Sequence, residues 1–389
     1  MAKFMWACWD GGGNLPPSLG IARALSQRGH SVTFAGRRDM IGRVRAAGFA
    51  TRELIQAYAL IDRYARDVQV QVFGYLSSPA VAEELVSIAK DEAPDAVIID
   101  AMFSAALDAA PRFGTPTAVV VHTFLRRMFG AWKANLEMQG AIRIRAGFAP
   151  LPAIDELWGS RDLIQVNTLA AFDAPAATPW PNIRHGAPVL DEERHEAATA
   201  LPWRADDPTP LVLVSFSTVQ IQRSPETLQR TLDALAALPV HVVATMGDIV
   251  DPAELVPPAN AVVLRFASHE ELMPRAALVV THGGHGTAMR SLRYGLPMVC
   301  IPALAGDQPF VAAAVEEWGA GRALAREASV AEIRSAAQAA LENPSYRAGA
   351  TRLAPLLADG DGASAAATAL EGLIPARAAS ALNRSGRRG

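Results

Sequence analysis

The clearest indication of a binding site in the sequence is a glycine- and histidine-rich turn in its second half. It reads HGGHGT from His282 to Thr287, follows an apolar run and leads into an amphipathic segment. Glycines let a ligand approach the backbone closely, and the unpaired N–H groups of a helix's first turn attract an anion. The turn is therefore predicted to bind a diphosphate. After the next apolar run, Asp307 and Gln308 offer hydrogen-bonding groups for a polyhydroxylated ligand.

A second glycine-rich turn, ACWDGGGNLPPSLG, lies near the N-terminus. It departs from the dinucleotide-binding fingerprint because Pro16 stands where a third glycine is needed. The next apolar run leads into Arg37 and Arg38 instead of an acid, which leaves that interpretation weak. Asn14 precedes two prolines suited to the first turn of a helix, so it is predicted to cap a helix or to face a bound substrate.

Short apolar runs rich in β-branched residues alternate with amphipathic segments, which is typical of parallel α/β units. The predicted strands of the first half are 3–9, 31–36, 51–55, 96–100, 117–122 and 163–167. Those of the second half are 211–217, 240–246, 261–266, 277–281 and 298–302. We therefore predict two doubly wound sheets in domains 1–205 and 206–375, joined through the polar segment 185–210, with a disordered tail at 376–389.

The composition is that of a packed globular protein. Of 389 residues, 50% are hydrophobic and 19% charged, and the net charge is -3, so no general attraction to nucleic acid or anionic membrane is expected. Cys8 and Cys300 lie in apolar runs and are predicted to be buried thiols. The N-terminus begins a predicted strand and no apolar run is long enough to cross a bilayer, so we expect a cytoplasmic protein.

The HGGHGT turn, the following GLPMVCIP run and DQP resemble, in order and spacing, the donor signature of GT-B nucleotide-sugar glycosyltransferases. That family includes plant UDP-glycosyltransferases and bacterial antibiotic glycosyltransferases. The resemblance extends over nearly the whole chain, although the first half is similar mainly in layout. It implies two Rossmann-like domains facing across a cleft, with the acceptor in the first and the nucleotide sugar in the second. We expect no metal and no cofactor, only small-molecule partners, and a homodimer as the candidate assembly.

Carried over by position, the resemblance implies roles for residues of the second domain. Phe266 would stack on the base, the Ala267 backbone would bind its edge, and His269 would lie near the ribose. Asp307 and Gln308 would hold hydroxyls of the transferred sugar. The expected diphosphate contacts are Ser217, Thr218, His282, Gly283, Gly284, His285, Gly286 and Thr287.

Two departures from the family pattern affect the predicted chemistry. Arg290 stands where the family has a ribose-binding glutamate, which favours a TDP donor, without a 2′-hydroxyl, over UDP. Arg290 is expected to pair with phosphate or with a surface acid. Asn14 stands at the position of the family's catalytic histidine, and an amide is not a useful base near neutral pH. Asp100, at the end of a predicted strand, is therefore the expected proton acceptor, with Asn14 positioning it; a helix cap is the alternative for Asp100.

The acceptor is predicted to be an apolar aromatic or polyketide-type natural product. Segments 69–76 and 122–132 are expected to line its pocket, although core packing explains many of their side chains. The individual acceptor contacts are predicted at Asp10, Gly12, Gly13, Phe73 and His122. A carboxylate base suits an acidic phenol or an aromatic carbon, so O- and C-linkage both remain open.

Taken together, the sequence predicts an inverting, metal-independent glycosyltransferase that transfers a sugar, expected to be a deoxysugar. Because the histidine is replaced, an alternative is an auxiliary protein that binds a partner glycosyltransferase. The retained HGGHGT and DQP motifs count against that alternative. A sugar-nucleotide epimerase would need more acid and base groups around the sugar than the sequence offers.

Overall fold

The computed structural model describes residues 1–58, 73–173, 180–190, 201–204, 206–217, 222–303, 306–358 and 360–374. The chain forms two compact units. One comprises Met1–Val189 together with Asp361–Gly389, and the other comprises Leu190–Gly360. This division differs from the predicted bounds of 1–205 and 206–375, chiefly because the chain returns to the first unit at its end. The predicted tail at 376–389 lies outside the described residues.

The first unit is built on a seven-stranded parallel sheet with the order β3-β2-β1-β4-β5-β6-β7. Its strands are β1 Lys3–Ala7, β2 Ser31–Gly36, β3 Ala50–Glu53, β4 Ala96–Asp100, β5 Thr117–Val121, β6 Leu163–Val166 and β7 Ile183–His185. Its α-helices among the described residues are α1 Leu15–Gln27, α2 Arg38–Ala46, α3 Pro79–Glu92, α4 Ser104–Ala109, α5 Phe129–Arg145 and α6 Ala170–Asp173, and a π-helix spans Asp155–Gly159. The strand order reverses beside β1, where β1 and β4 pair, and in such sheets ligands bind outside the carboxyl ends of the strands.

The second unit is built on a six-stranded parallel sheet with the order β10-β9-β8-β11-β12-β13. Its strands are β8 Leu211–Ser215, β9 His241–Thr245, β10 Ala261–Leu264, β11 Ala276–Thr281, β12 Met298–Cys300 and β13 Gly321–Ala323. Its helices are α7 Pro225–Leu235, α8 His269–Leu272, α9 His285–Arg293, α10 Gln308–Glu317, α11 Val330–Glu342 and α12 Pro344–Ala358. All its strand pairs are parallel, as the alternation of runs predicted.

A last helix, α13 Gly362–Glu371, packs on α1 and belongs to the first unit. Ala366 and Leu370 lie in the same buried cluster as Leu25 of α1. The Arg28 guanidinium donates to the Glu371 carboxylate at 2.7 Å, and His30 lies 2.8 Å from its other oxygen. The C-terminal segment therefore completes the first hydrophobic core.

The sequence located the strands well where they are long and buried. Every residue of β4 and β5 is buried, as expected for strands covered on both faces by helices. The short strands β7 and β13, with three residues each, were not predicted. Several predicted strands end one or two residues too late, because the apolar pattern continues into the loops at the carboxyl edge.

Two smaller predictions concern caps and cysteines. Pro16 and Pro17 lie in the first turn of α1 as predicted, but Asn14, at the N-cap, makes no capping hydrogen bond with its side chain. The prediction of a side-chain cap is therefore wrong. Cys8 and Cys300 are buried free thiols as predicted, and burial raises the pKa of the Cys300 thiol to about 12.

Within the ranges that the structure describes, no helix is both long and apolar enough to cross a membrane.

Candidate functional site

Asp100 lies at the carboxyl end of β4 and is buried, with 1% of its surface exposed. Its Oδ1 accepts hydrogen bonds from the Trp9 indole N–H at 3.0 Å and from the Met102 backbone N–H at 2.9 Å. Its Oδ2 accepts one from the Asn14 side-chain amide at 2.8 Å. The predicted meeting of Asp100 and Asn14 is therefore confirmed, because neighbouring parallel strands end at the same edge.

The Asn14 side chain ties the glycine-rich turn to Asp100. Besides its bond to Asp100, Asn14 Nδ2 donates to the Trp9 carbonyl at 2.9 Å, and Oδ1 accepts from the Gly11 N–H at 2.8 Å. Both amide hydrogens and the amide oxygen thus have partners, which fixes the side chain's orientation. The side chain holds the turn and the carboxylate together, whereas the helix cap predicted for it is absent.

The glycine-rich turn encloses the indole ring of Trp9. A Cβ atom at Gly11 would lie 2.7 Å from two carbons of that ring, whereas one at Gly13 would meet nothing within 4 Å. Asp10 organises the same turn, since its Oδ1 accepts from the Gly12 N–H at 2.9 Å and its Oδ2 lies 2.6 Å from an Arg43 nitrogen. The glycine at 11 is therefore required by the indole that binds Asp100.

His122 follows β5 and belongs to the same network. Its Nδ1 lies 3.3 Å from the Asn167 amide nitrogen, while Nε2 lies 3.2 Å from Ser18 Oγ and 3.6 Å from Asp100 Oδ2. Since the amide nitrogen can only donate, Nδ1 accepts and Nε2 carries the proton of a neutral ring. That proton points toward Ser18 and Asp100.

The two segments predicted to line the acceptor pocket differ in how much of them the structure describes and in how much of them is buried. Residues 69–72 lie outside the described residues, and Phe73 is half-buried. In segment 122–132, Phe124, Leu125 and Trp132 are buried, and the Trp132 ring packs 5.3 Å from that of Trp158. Core packing thus accounts for much of that segment. The acceptor roles of Phe73, His122, Asp10, Gly12 and Gly13 stay predictions.

The HGGHGT turn connects β11 to α9 in the second unit. Gly284 is the N-cap residue of α9 and provides no side-chain cap to the first turn of that helix. Gly283 has a positive φ of 82°, and a Cβ there would lie 3.0 Å from the Gln308 carbonyl oxygen. A Cβ at Gly284 would lie 2.6 Å from His282 Nε2. Glycines are therefore needed for this turn to pack between the His282 ring and the start of α10.

His282 is anchored to the end of β8. Its Nδ1 lies 3.4 Å from the Ser215 carbonyl oxygen, so Nδ1 carries the proton and Nε2 is unprotonated in the neutral ring. Burial lowers the pKa of His282 to about 4, and the hydrogen bond to Ser215 only partly opposes this. Burial, with the positive charge of Arg290 and then that of His282, lowers the pKa of His269 to about 3. Both imidazoles are therefore neutral near pH 7.

Gln308, predicted as a sugar contact, is only 2% exposed. Its Oε1 accepts from the Ala303 N–H at 2.8 Å, and its Nε2 donates to Gln222 Oε1 at 2.7 Å. Ser217 Oγ donates to the same Gln222 oxygen at 2.6 Å. Asp307 is half-buried, and Thr218 lies outside the described residues. No sequence pattern pointed to Gln222, which joins the two predicted donor-binding loops.

Phe266 and His269 follow β10. Phe266 is 48% exposed, which leaves its ring accessible for stacking. The Ser268 hydroxyl caps α8 by accepting from the Glu271 N–H at 3.2 Å, and this fixes the first turn that begins at His269.

Arg290 pairs with an acid, which was one of the two expected outcomes. Its Nε donates to Glu270 at 3.1 Å and one terminal nitrogen to the Leu190 carbonyl at 2.6 Å, while the Tyr294 hydroxyl donates to the other Glu270 oxygen. The Arg290 side chain is only 8% exposed, whereas that of Glu270 is 39% exposed, so a buried guanidinium pairs with a surface acid.

Across the ranges that the structure describes, no group of three or more His, Cys, Asp or Glu side chains could hold a metal ion. The expectation that no metal takes part in the reaction stays a prediction.

Comparison with known proteins agrees with the architecture. Residues 229–367 match the family described as "Erythromycin biosynthesis protein CIII-like, C-terminal domain". The chain is 34% identical over 238 residues to 4'-demethylrebeccamycin synthase of Lentzea aerocolonigenes, covering 60% of this chain and 54% of that enzyme. It is 26% identical over 409 residues to demethyllactenocin mycarosyltransferase of Streptomyces fradiae, covering 96% of this chain and 87% of the relative.

Solved structures are similar over both units. The glycosyltransferase of kitacinnamycin superposes with a TM-score of 0.76 at 22% identity, covering 96% of this chain and 99% of the other. The glycosyltransferase VinC, solved in complex with dTDP, has a TM-score of 0.70 at 20% identity, with coverage of 96% and 99%. With the two parallel-sheet units and the HGGHGT turn, these similarities show that the chain has the GT-B fold and is similar in sequence to natural-product glycosyltransferases.

Proposed function

We propose that this enzyme is an inverting glycosyltransferase that moves a deoxysugar from a TDP donor to an apolar aromatic or polyketide-type acceptor. The observation that carries the proposal is the turn at residues 282–287, which joins β11 to a helix whose N-cap residue, Gly284, has no side chain to cap the first turn. Backbone N–H groups in such a turn suit the diphosphate of a nucleotide sugar.

His282 would strengthen the binding of the diphosphate. In the neutral ring Nδ1–H faces the Ser215 carbonyl, so Nε2 has a lone pair and no proton to donate. A bound diphosphate favours the charged form of a neighbouring imidazole. We therefore expect donor binding to be accompanied by proton uptake at Nε2, which places a positive charge beside the departing phosphate.

The preference for TDP rests on Arg290 and is supported by the VinC complex. Arg290 replaces the carboxylate that would bind a ribose diol, and its guanidinium is engaged with Glu270 and Leu190. A thymidine nucleotide lacks the 2′-hydroxyl and loses nothing from this replacement. The exposed Phe266 ring is available to stack on the base.

Asp100 is the proposed proton acceptor of the first unit. Trp9 and Met102 donate to its Oδ1, and Asn14 donates to its Oδ2, which also lies 3.6 Å from His122 Nε2. We expect the substrate proton to pass to Oδ2, because that oxygen accepts one short hydrogen bond whereas Oδ1 accepts two. In the proposed step the acceptor atom bonds to the anomeric carbon from the face opposite the diphosphate. The bond from that carbon to the phosphate oxygen breaks with its electron pair, and the acceptor proton passes to Asp100. A weak carboxylate base suits a phenol or an activated aromatic carbon.

Donor and acceptor panels analysed by mass spectrometry test this function. We expect glycosylated product with TDP-sugars in preference to UDP-sugars, and NMR of the product should show inverted anomeric configuration. Asp100→Asn should lower kcat by about 10²- to 10⁴-fold, the usual contribution of a general base. Asn14→Ala should lower kcat less, because it removes a positioning bond.

The control is the affinity for TDP, measured by calorimetry, which both variants should retain because their substitutions lie in the first unit. Unchanged turnover in both variants would disprove the role of Asp100. A wild-type protein that binds neither TDP nor UDP would instead support an auxiliary function.

A further inference from the structure

Gln222 lies where four segments of the second unit meet. Ser217 follows β8, Ala303 follows β12, Gln308 begins α10, and the Gly283 backbone packs against the Gln308 carbonyl. Gln222 bonds to two of these, Ser217 and Gln308. The Gln222 amide is thereby fixed beside the turn that the proposed function assigns to the diphosphate.

The hydrogen bonds determine which way each amide faces. The Ala303 backbone N–H can only donate, so the Gln308 atom next to it is the oxygen, and Gln308 Nε2 must donate to Gln222. The Gln222 atom that receives this bond, and that of Ser217, is therefore its oxygen. This leaves the Gln222 NH₂ group facing away from both partners.

The NH₂ group of Gln222 has two hydrogens and no hydrogen-bond partner among the residues that the structure describes. A Cβ atom built on Gly306 would lie 3.9 Å from this nitrogen, so the NH₂ group lies close to the loop that precedes Asp307. Gln222 is half-buried, whereas Gln308 is 2% exposed with both ends of its amide bonded internally. Of the two amides, that of Gln222 is the one able to bind a ligand.

We propose that Gln222 is a sugar-specificity residue whose NH₂ group donates hydrogen bonds to a hydroxyl oxygen of the transferred sugar, while Ser217 and Gln308 position it. This proposal rests on the proposed function and refines it, since Gln308 had been expected to make that contact. The sugar is favoured over the phosphates because the Gln222 NH₂ group lies beside the loop that leads into Asp307, the N-cap residue of α10. The Asp307 carboxylate would repel a phosphate but can accept hydrogen bonds from sugar hydroxyls.

The experiment combines Gln222→Leu with a series of TDP-sugars that each lack one hydroxyl. Loss of a neutral hydrogen bond should raise KM for the fully hydroxylated donor about three- to tenfold, with the Kd for TDP alone within twofold of wild type. The penalty should disappear for the one donor that lacks the hydroxyl bound by Gln222. Gln338→Leu is the matched control, because Gln338 on α11 is exposed and, among the residues that the structure describes, bonds only to Glu342.

Three outcomes overturn the proposal while leaving the proposed function intact. One is an unchanged KM, and another is an equal penalty for every donor in the series. The third is a loss of affinity for TDP as large as that for the TDP-sugar, which would assign Gln222 to the diphosphate. Failure of the wild-type enzyme to bind TDP would contradict the proposed function itself.

Discussion

Acidification should destabilise the folded enzyme through His282. Burial lowers the pKa of His282 to about 4 from an ordinary value of 6.5. Between these pH values the unfolded chain holds a proton that the folded chain lacks, so the free energy of unfolding falls as the pH falls from about 6.5 toward 4. At pH 5 the loss from this imidazole alone is about 2 kcal/mol.

His282→Asn is the informative variant, because its amide can still donate to the Ser215 carbonyl but cannot titrate. The free energies of unfolding of the wild type and the variant are measured by urea denaturation at pH 7 and pH 5. The variant should gain about 2 kcal/mol relative to wild type between the two pH values. The His282 imidazole signal, assigned in NMR spectra by its absence from the variant, should not shift over this range.

A His282 signal that titrates near pH 6.5 would refute the reasoning, as would an identical loss of stability in both proteins. Either result would mean that the ring is hydrated in the folded state. The predicted uptake of a proton on donor binding would then have no basis.

Two further substitutions test the surroundings of each site. Gly11→Ala places a Cβ 2.7 Å from the Trp9 indole and should disrupt its bond to Asp100, lowering kcat at least about tenfold with TDP affinity unchanged. Gly42→Ala on α2 is the control, because a Cβ there meets nothing within 4 Å. Equal losses in the two variants would contradict the role of Trp9. Arg290→Met removes the hydrogen bonds from the buried guanidinium to the Leu190 carbonyl and to Glu270, whose side chain is 39% exposed, and should lower the free energy of unfolding by about 1.5 kcal/mol in denaturant titrations. An unchanged free energy of unfolding would show that these bonds contribute little.

The parts of the site that could be predicted from the sequence are those fixed by local geometry. The turn at residues 282–287 joins a strand to a helix, and such connections are short enough to be recognised from neighbouring residues. The meeting of Asn14 and Asp100 followed from a general rule, since Asp100 ends β4, Asn14 precedes the helix that follows β1, and β1 and β4 pair in parallel.

The parts that could not be predicted depend on contacts between distant segments. Trp9 reads as the end of an apolar strand, and only the folded turn shows its indole bonded to Asp100 across 91 positions. Gln222 reads as a polar loop residue, and its importance comes from Gln308, 86 positions later. Sequence patterning cannot reveal such pairs, because periodicity reports which face is buried and not which partner buries it.

Because α13 returns to the first unit, it limits where a segment of this enzyme can be exchanged with that of a relative. It also affects when the first core forms during synthesis. Because Ala366 and Leu370 fill the core beside Leu25, a donor-binding module exchanged with a relative should be an insert spanning residues 190–360, which leaves α13 with its host. A chimera joined by a single crossover near residue 190 would instead contain the relative's counterpart of α13, packed against the core of this enzyme. During synthesis, likewise, the core of the first unit can be completed only after all of the second unit has been made.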